Sequence, residues 1–147
     1  MISSVGADGV WDRWCYKKAP IATLDQAPPV QNTWYTVLDT KKYVRLIFLS
    51  MKHDNTDASA LTINMRVTVD GTVYTAAVDA AGNDNTVYYF YFDPTADALL
   101  SSTTLYNAGY YEDIRGNSVK VEVRMTGVPG TAEHLYAYVQ YELWRRA

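Results

Sequence analysis

The sequence predicts an all-β protein: a single antiparallel β-sandwich, jelly-roll-like, with at most one short helical turn. Three observations predict it. Apolar and polar residues alternate at period two along several stretches, which is the spacing of half-buried strands. Asp70-Gly71 separates two β-rich runs, and a type I′ hairpin turn favours that pair because both central residues need positive φ. Turn signals recur about every ten residues, enough for seven to nine short strands in one domain. Long antiparallel strands with wandering loops suit a jelly roll.

In chain order, residues 1–25 read as an N-terminal arm or first strand and residues 26–147 as the sandwich. Gln26-Ala27-Pro28-Pro29 reads as an extended entry. Trp34–Leu38 and Tyr43–Ser50 read as a strand pair joined by Asp39-Thr40-Lys41-Lys42. Leu61, Ile63, Met65, Val67 and Val69 form one strand face, opposite Thr62, Asn64, Arg66 and Thr68. The Asp70-Gly71 turn returns the chain through Thr72-Val73-Tyr74-Thr75. Thr86–Phe92 is a strand that Asp93-Pro94 ends, since proline cannot donate to a ladder. Asp93 is placed to cap a helical turn over Pro94–Leu100. Residues 101–118 are polar and Tyr-rich, an excursion with weak strand character. Val119, Val121, Val123 and Met125 alternate with Lys120, Glu122 and Arg124. After Gly127, Pro129 and Gly130, the apolar face Leu135, Ala137, Val139, Tyr141 and Leu143 lies opposite Tyr136, Tyr138, Gln140 and Glu142.

Composition narrows the function. The chain has 147 residues, 48% hydrophobic and 20% charged, a globular balance. One cysteine excludes an internal disulfide and any multi-thiolate metal site. Net charge −3 argues against general nucleic-acid binding. The charge is unevenly spread: residues 1–66 carry net +2, residues 67–114 carry seven acids and no Lys or Arg, and residues 115–147 carry net +2. An acidic middle between basic ends favours head-to-tail contacts; the alternative is a solvated face. No secretory signal opens the chain, and no apolar run approaches the roughly 20 residues that span a bilayer. A product made in the cytoplasm, with no membrane partner, is the expectation.

Catalytic templates fail. No phosphate-cradling glycine motif is present. His53 and His134 fall short of a cupin-type metal set. Cys15 reads as a small buried hydrophobe rather than half of a Cys–His dyad. Glu112-Asp113 are adjacent, so on a strand they point to opposite faces, which suits glycosidase work poorly. Asn83-Asp84-Asn85 with Asp79 offers oxygen ligands, but the same residues are turn chemistry. No cofactor, no metal and no catalysis are expected.

The aromatic set is the richest signal: 13 Tyr, 4 Trp and 3 Phe. In Thr86–Phe92, Val87, Tyr89 and Tyr91 line one side and Tyr88, Phe90 and Phe92 the other. Tyr43–Leu49 is similar. A second apolar strand face expects a cover. Three readings stay open: subunit contact, tyrosines that simply suit strands, and sugar stacking. Subunit contact makes Tyr43, Arg45, Ile47, Tyr89 and Tyr91 the interface, with Trp11, Trp14 and Tyr16 as a docking arm. Sugar stacking points to Tyr106, Tyr110 and Tyr111.

Residues 26–40, from Gln26-Ala-Pro-Pro-Val through Trp34-Tyr-Thr-Val-Leu-Asp39, and the Leu61–Gly71 run ending Val-Thr-Val-Asp-Gly, resemble small virion proteins of tailed phages and prophages. Those relatives are of the head-decoration or tail-accessory kind. The resemblance covers about residues 26–80. It implies a jelly-roll-like sandwich, homo-oligomeric and often trimeric, without catalysis, and it transfers no site residues. The resulting expectation is a virion protein made in the host cytoplasm, which pairs with itself, a trimer favoured, and with capsid or tail proteins. The alternative is a carbohydrate-binding module.

Overall fold

The computed structural model describes residues 2–5, 11–16, 21–55, 61–80, 86–104, 114–127 and 132–146. They form β1 (Ile2–Val5), β2 (Trp11–Tyr16), β3 (Ile21–Gln26), β4 (Tyr35–Thr40), β5 (Val44–Asn55), β6 (Leu61–Val69), β7 (Thr72–Ala80), β8 (Tyr88–Asp93), β9 (Ala98–Ser102), β10 (Ile114–Gly116), β11 (Val119–Gly127) and β12 (Ala132–Arg146).

The strands make two antiparallel sheets. The first has eight strands in the path β1-β2-β12-β5-β8-β9, with β3 on β12 and β10 on β5; the second runs β4-β11-β6-β7. Among the principal strands β3, β4, β5, β6, β7, β8, β11 and β12, the first sheet places the first, eighth, third and sixth side by side. The second places the second, seventh, fourth and fifth. This is the jelly-roll arrangement. Two long strands organise the first sheet, and each takes two short partners end to end on its far side. Strand β12 pairs β3 through Leu135–Gln140 and β2 through Trp144–Arg146. Strand β5 pairs β10 through Val44–Leu46 and β8 through Leu49–Met51.

The inward faces follow the alternation. Leu61, Ile63, Met65 and Val67 of β6 and Val119, Val121, Val123 and Met125 of β11 meet Leu49 and Met51 of β5 and Leu135, Ala137 and Val139 of β12 in one core. Each fully buried side chain of this size stabilises the fold by roughly 1.5–3 kcal/mol. Tyr74 of β7 meets Phe92 of β8 edge to face at 5.1 Å, which closes one side of the sandwich. The Asp70-Gly71 turn forms as expected, with φ of 49° and 88°. Asp70 also does what its turn role does not require. Its Oδ1 accepts from the backbone N–H of Asn117 and Ser118 at 2.8 and 2.9 Å, tying the β6–β7 hairpin to the β10–β11 turn. Gly116 lies so close to this hairpin that an added Cβ would fall 2.6 Å from Val69 Cγ1.

Three expectations are corrected. Strands β4 and β5 are not a hairpin: β4 pairs β11 and β5 pairs β12, so residues 41–43 carry the chain between sheets. Pro94–Asp97 is a turn rather than the start of a helix, and Ala98–Ser102 continues as β9. Asp93 does cap this segment, accepting from the N–H of Thr95 at 2.9 Å, but Asp97 takes φ 49° and the chain reverses into a strand. Finally, β5 continues to Asn55, past the expected end at Ser50.

Candidate functional site

The outward face of the first sheet is where the aromatic surplus collects. The β12–β5 ladder pairs Gln140 with Phe48 and Tyr141 with Leu46, so Ile47 is an extra residue in β5. Such a bulge resets the alternation. Val44 and Leu46 point inward before it, and Leu49, Met51 and His53 point inward after it. Ile47 and Phe48 are therefore both left on the outer side, where Ile47 is 39% exposed. Phe48 then bridges two tyrosines across neighbouring strands. Its ring meets Tyr138 of β12 at 5.6 Å and 85°, and Tyr89 of β8 at 5.5 Å and 70°. Both are edge-to-face pairs, worth about 0.5–1.5 kcal/mol each beyond area burial.

Around this row the same face carries Tyr91, half-buried, and Ile21 of β3, 53% exposed. Tyr91 lies opposite Leu100 of β9 in the ladder. Toward one end, His134 donates from Nδ1 to Asp25 Oδ1 at 2.6 Å and stacks flat on Tyr136 at 5.2 Å. Lys52 Nζ lies 4.8 Å from the centre of the Tyr136 ring. Toward the other end, Arg45 donates to Glu142 at 3.3 Å. Between them lies a groove of about 560 Å³, walled by Phe48, Tyr136 and Tyr138, with the buried Ser50 among its lining residues.

The second sheet's outward face is charged. Arg66 donates from Nε to Glu122 Oε2 at 2.7 Å, and Lys120 lies 3.0 Å from Glu122 Oε1. Glu122 is only 6% exposed. The Arg66 guanidinium, with Lys120 beside it, holds the Glu122 carboxyl below its usual range against burial, which pushes the other way. Arg66 and Arg124 both stack on Trp34, with guanidinium carbons 4.1 and 4.5 Å from the ring centre.

The structure brings Arg45, Ile47, Tyr89 and Tyr91 to one outer face and places Tyr43 immediately before β5. Trp11, Trp14 and Tyr16 lie on β2, whose backbone pairs with the end of β12 and with β1. Tyr106, Tyr110 and Tyr111, Glu112-Asp113 and Asn83-Asp84-Asn85 lie outside the described residues. His53 is fully buried on the inner face of β5, whereas His134 is on the outer face of β12, so the two histidines share no site. Sequence reasoning missed Phe48 and Tyr138 as the centre of the surface. Tyr138 stood in the alternation, but the bulge that turns Phe48 outward leaves no mark in an almost wholly apolar run. Trp34 was also missed, because its partners come from strands far away in sequence.

The fold and this surface define a jelly-roll β-sandwich with one aromatic and one charged outer face. No protein-family model matches the sequence, and no curated protein matches it. Among solved structures, the chain is similar to one from the infectious bursal disease virus Gx strain, with TM-score 0.37 and 13% identity over 90% of this chain and 33% of that one. It is also similar to one from the infectious bursal disease virus VP2 subviral particle, with TM-score 0.34 and 13% identity over 92% and 32%. This chain thus spans about a third of the length of those chains.

Proposed function

We propose that this protein is a non-enzymatic structural component of a virus particle that associates with itself through the outer face of its first sheet. The observation that carries the reading is the Tyr138–Phe48–Tyr89 row, flanked by the exposed Ile47 and Ile21. A sheet face of this composition gains free energy when covered, and aromatic side chains are favoured at the centres of protein contacts. Jelly rolls serve viral shells among other roles, and fold alone does not assign function. The viral assignment leans on the sequence resemblance over residues 26–80: a capsid decoration or tail accessory protein, docked on a shell, found in the virion and made in the host cytoplasm.

Light scattering coupled to size exclusion tests the core of the reading. Association at micromolar concentration, abolished by Phe48→Asp in a folded chain, is the expected result; a monomer at those concentrations overturns it. The groove walled by Phe48, Tyr136 and Tyr138 favours one second reading, a sugar-binding module, because aromatic walls and polar rim groups suit a pyranose ring. A glycan array read with Tyr138→Ala as control distinguishes the two.

A further inference from the structure

We propose that β7, an outer edge of the second sheet, pairs antiparallel with β7 of a neighbouring copy, so that two four-stranded sheets continue as one across a two-fold axis. The proposal rests on the reading that the chain associates with itself, but it uses none of the aromatic-face residues.

Strand β7 runs nine residues, Thr72–Ala80, and its ladder with β6 keeps register through nine successive pairs. Among the described residues its ladder partner is β6 alone, so its other side is an open edge. Open edges are ordinarily kept apart by shortness, bulges, proline or outward charge. The other edges have such protection. Strand β4 is six residues long, has Val37 as an extra residue against β11, carries Asp39 and is followed by Lys41-Lys42. Strands β1, β3, β9 and β10 have four, six, five and three residues. By contrast β7 holds no proline, lysine or arginine. Its one charged residue, Asp79, accepts from Thr62 Oγ1 at 2.8 Å, which draws the carboxylate toward β6 and away from the open side.

The strand is also held in place. Tyr74 turns inward, where its ring meets Phe92 at 5.1 Å and its hydroxyl donates to Asp97 Oδ1 at 3.4 Å. Val73, 56% exposed, and the exposed Thr75 and Ala77 lie on the outer side. A preformed strand loses little backbone freedom when a partner strand arrives.

The occupant follows from the sequence of β7 itself. Antiparallel pairing centred on Ala76 sets Val73 opposite Asp79, Thr75 opposite Ala77, and Tyr74 opposite Val78 of the second copy. No two acids meet, and the residues at the axis are small. No other edge among the described strands offers nine unbulged residues to match. Such a contact is isologous and closes at two copies. Its hydrogen bonds replace bonds to water, so one pairing is weak. It acts between oligomers in which the aromatic face has already gathered several copies, where several pairings work together.

The test uses the full chain with Cys15→Ser, carrying Thr75→Cys and Ala77→Cys together. Facing positions on paired strands lie about 4.5–5.5 Å apart between Cβ atoms, within disulfide reach. Mild oxidation is expected to link position 75 of one copy to position 77 of another. Val73→Cys, alone in the same background, is the control: its two copies lie about 20 Å apart in this pairing and should not link. Thr75→Lys, with native circular dichroism, places a charge of the kind that keeps edges apart, and should weaken association beyond the aromatic-face oligomer about tenfold in sedimentation. Equal linking in the double variant and the control means random encounter and overturns the inference. If the chain associates but the double variant forms no link between copies, the inference fails and the aromatic-face reading stands. If the native chain does not associate at all, both fail.

Discussion

On the first sheet the outward residues of β12, β5 and β8 include Tyr138, Phe48 and Tyr89, three rings in edge-to-face contact. On the second sheet the outward residues of β11 and β6 include Glu122, Lys120 and Arg66, an ion-pair cluster beside Trp34. Both faces are built by the same period-two geometry over one shared core. They differ in what would complete them. The charged face is largely complete within the chain, since Glu122 is covered by its own partners and Asp39 and Asp79 lie on the same face as the three cations. The aromatic face satisfies its rings pairwise and, among the described residues, still leaves apolar area outward, which the proposed self-association would cover. Substitutions in the aromatic row of the first face should therefore move association, and those in the Glu122 cluster of the second should move folding stability.

The largest expected effect comes from Phe48→Asp. A charge at the centre of the aromatic row should reduce self-association about 100-fold, near 2.7 kcal/mol, as loss of a central aromatic anchor does. Sedimentation velocity measures it. The unfolding midpoint should move far less than the association constant; an equal loss in both would mean the row stabilises only its own chain.

Glu122→Gln reverses that pattern. It leaves Arg66 and Lys120 without their carboxylate but keeps the shape. Breaking a buried pair costs about 3–5 kcal/mol, and since both cations are partly exposed, about 2 kcal/mol is expected here. Urea denaturation measures the loss, with association through the aromatic face unchanged.

The same carboxylate sets an acid limit. Its pKa is lowered in the folded chain, chiefly by the hydrogen bond from Arg66. Such a group binds fewer protons folded than unfolded, so its stabilisation is complete above the unfolded value near 4.5. That contribution is lost as pH falls through the lower folded value. Denaturation midpoints of the native chain should therefore fall more steeply below pH 4.5 than those of Glu122→Gln. Parallel curves would remove Glu122 from the account.

Much of the fold was legible because local chemistry forces it. Asp70-Gly71 reads as a type I′ turn, and positive φ at both positions is what the structure has. The alternations in β6, β11 and β12 fix which residues are buried, since a half-buried strand leaves no other choice. What was not legible depends on partners distant in sequence. Whether β4 pairs β5 or β11 is decided by the sheet each joins, and the intervening Lys41-Lys42 turn fits either outcome. The outward turn of Phe48 depends on a bulge within Val44–Leu49, where only Arg45 is polar. The place of Trp34 depends on Arg66 and Arg124, which meet only once β4, β11 and β6 lie side by side.

Asp70 and Gly116 test the joint between the two sheets. Asp70→Ala removes the acceptor of two backbone N–H groups, with an expected cost of about 1–2 kcal/mol. Gly116→Ala places a methyl 2.6 Å from Val69 Cγ1, so the Val69 side chain or the backbone must give, at about 1–3 kcal/mol. Thermal melts of both variants should show this loss without any change in association per folded chain.

The smallest effect separates the two faces most finely. Lys52 lies over Tyr136 on the aromatic face at 4.8 Å, and an exposed cation–π contact of this kind is worth about 0.5–1 kcal/mol. Lys52→Met keeps the stem and removes the charge. If the face is a contact surface, losing a desolvated ammonium at its edge and adding apolar area should leave association unchanged or slightly stronger, while monomer stability falls by about 0.5 kcal/mol. Arg66→Met makes the corresponding change on the charged face, and it should lower stability more, because it removes both a stack on Trp34 and the closest partner of Glu122. Equal losses for the two substitutions, measured by urea denaturation side by side, would mean that the faces do not differ in how much of their completion lies within the chain.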